Sequence, residues 1–137
     1  MKIKFKYQPY NPNPYHKKGT KATHGDCVIR AICKAANLDW FDVYDMLCKR
    51  GRELGDFGDR ITVYPTVLKD LGFIDVSVKR EKGKKAMTVE SFIKEHPTGT
   101  YILRLAHHAT AIVEGVCYDT WYPQNDTVYR YFEKVKQ

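Results

Sequence analysis

Three residues of different type, far apart in the chain, have the chemistry to work as one unit. Cys27 lies in "HGDCVIRAICKAA", where Val28, Ala31, Ile32 and Ala35 recur at helical spacing. That spacing predicts a helix over 26–36 with Asp26 as its N-cap, which puts Cys27 in the first turn. Free backbone N–H groups and the positive end of the helix dipole favour a thiolate there. A small buried residue at a helix start fits this segment equally well. His108 in "HATAIV" and Asp119 in "YDTW" supply an imidazole and a carboxylate. A thiolate can attack a carbonyl, an imidazole can move the proton, and a carboxylate can fix the imidazole tautomer.

The sequence also predicts how His108 and Asp119 meet. If Glu114 and Gly115 form a two-residue turn, Val113 pairs with Val116, Thr110 lies opposite Asp119, and His108 lies opposite Trp121. Opposed residues project from one face, so His108, Thr110, Cys117, Asp119 and Trp121 share it, with His108 and Asp119 as diagonal neighbours. A slip of one residue would separate them. His107 falls on the other face and is the second choice. His24 sits in the entry loop without an orienting partner. His16 and His96 read as loop or helix-end residues.

Around these positions the chain reads as follows. Residues 2–7, "KIKFKY", suit a short edge strand, and the proline- and asparagine-rich stretch after them is a loop. A second helix is expected over 39–54, capped by Asp39, with Trp40, Val43, Tyr44 and Leu47 on one face, and "GDFGDR" breaks it. A third runs over 65–71, opened by Pro65 and stopped at Gly72. Residues 73–80 alternate Ile74, Val76 and Val78 as a strand. Thr88 caps a fourth helix over 89–96, ended by Pro97 and Gly99. The remainder is rich in β-branched and aromatic residues and reads as three or four antiparallel strands. Helices first and strands second predict an α+β fold, a helical lobe on an antiparallel sheet. One domain over 1–137 is expected: an N-terminal strand and loop to 25, a mainly helical part over 26–97, and a mainly β part over 98–137.

The composition bounds the function. With 137 residues, 43% hydrophobic and 28% charged, the chain can bury a core, and no apolar run approaches a membrane span. The N-terminus lacks the hydrophobic block of a signal peptide, so the cytoplasm is expected. Four cysteines, at 27, 33, 48 and 117, are expected to stay reduced there, with Cys33 and Cys48 as packing residues. The formal net charge is +7. Part of it is concentrated in "KREKGKK" at 79–85, a solvated loop by default and otherwise a contact for phosphates or an acidic partner. Zinc-finger spacing and a Walker glycine loop are absent, and a zinc site from Cys27, His24 and His108 lacks the usual close pairs. No metal or cofactor is needed.

Taken together, "GDCVIRAI", "HATAIV" and "DTW" resemble the papain-like cysteine peptidases over about residues 20–125, and in particular small phage and bacterial proteins with a "GDC" helix start and a "YDTW" strand. The resemblance implies a papain-like fold with Cys27 as nucleophile, His108 as base and acid, and Asp119 as its orienter. It also implies that Trp121 shields the His–Asp hydrogen bond from water. Such enzymes place a glutamine about six residues before the nucleophile as an oxyanion donor, but here that position is Lys21. The Cys27 backbone N–H supplies one donor, and Thr23, Lys21 or Gln8 is the expected source of a second. The function expected is hydrolysis of a peptide, isopeptide or related acyl bond in a protein or peptide substrate, which the basic charge suggests is acidic. The alternatives are a non-catalytic protein-interaction module of the same fold and a basic nucleic-acid binder. The oligomeric state is left open.

Overall fold

The computed structural model describes residues 6–15 and 25–135. Helix α1, Cys27–Ala36, buries Val28, Ala31, Ile32, Cys33 and Ala35 and ends at Asn37 in the left-handed conformation. Helix α2, Trp40–Leu54, starts where the Asp39 carboxylate accepts from the Phe41 N–H at 3.0 Å. Helix α3, Tyr64–Asp70, carries Pro65 in its first turn. Helix α4, Val89–Glu95, begins with a reciprocal Thr88–Ser91 capping box. Among the described residues, no helix is long and apolar enough to cross a membrane.

Among the described residues six strands form one sheet: β1 Tyr7–Pro9, β2 Phe73–Ser77, β3 Thr100–Leu105, β4 His108–Val113, β5 Val116–Asp119 and β6 Arg130–Lys134. Their spatial order is β1-β5-β4-β3-β6-β2. All neighbours are antiparallel except β1 and β5, which run parallel. The fold is therefore α+β with a mixed sheet. The strand expected over 2–7 falls mostly outside the described residues, and β1 lies at Tyr7–Pro9, partly in the expected loop. Proline is tolerated there because β1 is an edge strand.

The sheet is covered on both sides. Helices α1, α2 and α3 pack with Ile102, Ala109, Ala111 and Phe132 on one face. Helix α4 packs with Tyr101, Leu103, Leu105, Ile112 and Cys117 on the other. This corrects the expectation of one helical lobe, and it explains why "YILRL" is apolar almost throughout: β3 is central and buried on both faces. Helix α1 lies against β4. The small side chains of Ala109 and Ala111 face Ala31 and Ala35 in that cluster, which lets helix and strand approach closely.

Other expectations are corrected at the surface. On α2 the buried residues are Val43, Leu47 and Gly51, while Tyr44 is 46% exposed and Cys48, expected to pack, is exposed. Trp40 is partly buried against the core, and Tyr44 stacks on it from the surface, with Tyr15 and Phe41 edge-on to Trp40. On β2 it is Phe73 that is buried, while Ile74 is 53% exposed, because β2 is an edge strand.

Gly58 seats the loop between α2 and α3 directly on α2. A Cβ there would stand 2.6 Å from Leu47 Cβ and 2.7 Å from the Leu47 carbonyl. A glycine-to-alanine change ordinarily gains about 0.4–1 kcal/mol through the unfolded chain. Overpacking against a helix backbone costs about 1–3 kcal/mol, and it wins here. Gly58→Ala is expected to lower the free energy of unfolding by about 1–2 kcal/mol in urea denaturation.

Candidate active site

Cys27 is the first residue of α1, and among the described residues no side chain caps that helix. Asp26 occupies the N-cap position, but its carboxylate is turned elsewhere, contrary to the expected cap. It accepts from Trp40 Nε1 and from Asn13 Nδ2, each at 3.0 Å, and pairs with Arg30 one turn along α1. The first N–H groups of α1 are thus left without a carboxylate cap beside the sulfur. The negative charge of Asp26 is meanwhile compensated by Arg30.

The β4–β5 register matches the one read from the sequence. Val113 pairs with Val116, Ile112 with Cys117 and Ala111 with Tyr118. Glu114 and Gly115 both have positive φ, 50° and 77°, as a two-residue hairpin turn of the I′ kind requires. On the shared face, His108 Nε2 lies 2.6 Å from Asp119 Oδ2. The ring centroids of His108 and Trp121 are 5.3 Å apart, with Trp121 itself 47% exposed. Thr110 Oγ1 lies 3.3 Å from Cys117 Sγ. Asp119 is 3% exposed. Its Oδ1 accepts from the Thr120 N–H at 2.7 Å, and Arg30 Nη2 stands 3.5 Å away. The edge strand fixes its backbone: the Asp119 carbonyl accepts from the Tyr10 N–H at 2.8 Å and from the Tyr7 hydroxyl at 3.1 Å.

With Nε2 committed to Asp119, the other ring nitrogen of His108 is left for Cys27, which lines the same cleft. Burial pushes the Cys27 thiol up, but the bond to His108, the Ala109 N–H and the positive charges of His108 and Arg30 outweigh it, and the thiol is held below its ordinary value. Burial pushes His108 down, yet its bonds to Asp119 and Cys27 win and raise it to about 9. Burial pushes Asp119 up, and its bonds to His108, Thr110 and the Thr120 N–H bring it below the usual carboxylate value. The three shifts run in the directions that favour thiolate, imidazolium and carboxylate. Cys33 and Cys117 go the other way: burial raises each to about 12.

Cys27 and His108 open into a cleft of about 340 Å³. Gly25, Arg60, Tyr64 and Arg104 also line it. Gln8 does not. It is exposed on β1, opposite Tyr118, which removes the geometric basis for its expected donor role. Lys21 and Thr23, the other expected donors, lie outside the described residues, as do His16 and His24. His107 is not on a strand. Leu105 pairs with His108, so Ala106 and His107 form a two-residue turn, with His107 at φ 55°, a conformation histidine tolerates better than most residues. His96 ends α4, stacked on Phe92. The basic run 79–85 borders a separate hollow with Thr127 and Tyr129. Among the described residues, no group of three or more His, Cys, Asp or Glu could hold a metal ion.

Arg30 and the cleft arginines were not legible as site residues. The only local signal for Arg30 was its spacing of four from Asp26 on a helix. Nothing in the sequence tied it to Asp119, 89 residues away. No protein-family model matches the chain, and no curated protein or solved structure is significantly similar to it.

Asp119→Asn keeps the shape and removes the charge. The His108 titration, followed by NMR of the ring protons, is expected to fall from about 9 toward the ordinary 6.5. An unchanged titration would remove Asp119 as the source of the shift.

Proposed function

We propose that the chain is a thiol hydrolase of papain-like fold, a peptidase, isopeptidase or related acyl-transfer enzyme. The observation that carries this reading is that Cys27, at the start of α1, and His108, 2.6 Å from Asp119, line one cleft. In this reading the Cys27 thiolate attacks a carbonyl carbon and a C–S bond forms. The oxyanion that develops is met by the uncapped N–H at the start of α1. His108, protonated at neutral pH, gives its proton to the leaving nitrogen as the C–N bond breaks. It then takes a proton from the water that cleaves the thioester. Asp119 keeps Nε2 protonated and the ring oriented. A cytoplasmic setting, where thiols stay reduced, is part of the proposal.

The pH dependence follows from the signs. The thiolate is lost as pH falls through the lowered Cys27 value. The imidazolium is lost as pH rises through about 9. Turnover therefore needs the window between them, and its upper limb should lie near 9.

A binding module is the second reading, favoured by the exposed aromatic cluster of Tyr15, Phe41, Tyr44 and Phe57. Iodoacetamide labelling followed by peptide mass analysis separates the two. The enzyme reading predicts that at about pH 6.5 Cys27 reacts roughly tenfold or more faster than exposed Cys48, and that His108→Ala abolishes the difference. Cys33 and Cys117 should remain unmodified. Equal labelling of Cys27 and Cys48 in the unaltered chain would leave only the module.

A further inference from the structure

Two arginines, Arg104 and Arg60, line the cleft beside Cys27. Arg104 on β3 is directly opposed to Arg130 on β6. Like charges facing each other across a sheet are unfavourable unless something neutralises them. For Arg130 that partner is Asp75, which grips the guanidinium at two points, one of them Nε to Oδ1 at 2.9 Å. Arg104 has no carboxylate partner among the described residues, and its side chain lines the cleft rather than open surface. Arg60 lines the same cleft and is exposed, and its charge helps hold the Asp56 carboxyl below its usual value. Asp59, the carboxylate among the lining residues, already has a partner. Tyr64 in the cleft wall stays a neutral phenol, since burial pushes it up to about 12.

We propose that this cleft selects an acyl donor bearing a carboxylate beside the scissile carbonyl, held by Arg104 and Arg60. The carboxylate belongs either to an acidic side chain or to a chain end. A guanidinium fork binds a carboxylate in two-point geometry, and partial exclusion of water strengthens the contact. The anion would supply for Arg104 what Asp75 supplies for Arg130. This inference rests on the reading of Cys27 as the nucleophile.

Three reagents of nearly equal size test it on the full chain: bromoacetyl-glutamate α-amide, bromoacetyl-glutamine with a free carboxyl terminus, and bromoacetyl-glutamine amide. In each, the Cys27 thiolate forms a C–S bond and bromide leaves, so the rate of Cys27 modification reports binding in the cleft. At least one acidic reagent is expected to modify Cys27 roughly tenfold faster than the neutral one. Which acid is faster identifies the side chain or the chain end as the source. The acid-to-neutral ratio should fall toward 1 in Arg104→Gln and in the exposed-site variant Arg60→Gln. Equal rates for all three reagents overturn the inference, as does a ratio that neither substitution changes. Iodoacetamide separates the two levels of failure. If Cys27 outreacts Cys48 but shows no acid preference, only the specificity is wrong. If Cys27 shows no enhanced reactivity at all, the hydrolase reading fails first.

Discussion

Two turn residues of positive φ, Glu114 and Gly115, hold β4 and β5 in a single register, and the rest of the site follows from it. The alternation of a strand has period two, so this register puts His108, Thr110, Cys117 and Asp119 on one face, where a neighbouring register would divide them. It lets His108 and Asp119 meet as diagonal neighbours. It also presents Ala109 and Ala111 to α1, whose first residue is Cys27. One local turn conformation thus sets the distance between imidazole and carboxylate and the seat of the helix that carries the sulfur.

The arrangement buries charge at a cost. Desolvating a carboxylate or an imidazolium costs several kcal/mol, which is offset only when the remaining lone pairs and protons are met. For Asp119 the requirement is met by His108, the Thr120 N–H, Thr110 and Arg30. Arg30 is the less settled member. It bridges Asp26 and Asp119 while its own Nε is buried without a hydrogen-bond partner among the described residues. Asp26 in turn ties the start of α1 to Asn13 and Trp40, so the segment before Cys27 and the start of α2 are fixed by the same charge.

Local rules made much of this legible. The caps at Asp39 and Thr88, the Pro65 helix start, the Glu114–Gly115 turn and the β4–β5 register depend on residues within a few positions of one another, and each was readable. The misses share a cause in tertiary placement. Ile74 looked like a core residue because alternation cannot distinguish an edge strand from a central one. Helix α4 looked like part of one lobe because helical periodicity does not say which sheet face receives it. Asp26 looked like a cap because the sequence does not reveal that Arg30 and Trp40 compete for its oxygens. Arg104 carried no signal in the sequence, because its place in the cleft depends on Cys27 and on the loop at Asp59–Ile61, both distant in the chain.

The carbonyl of Asp119 is fixed by Tyr7, 112 residues earlier. Parallel pairing of β1 with β5 therefore closes one of the longest loops the chain can make, and closure entropy places such contacts late in folding. During synthesis Cys27 emerges long before His108, whose side chain lowers its pKa. The nascent chain thus carries an ordinary, weakly reactive thiol. The lowering of the Cys27 pKa therefore waits on the docking of β4, and with it His108, against α1.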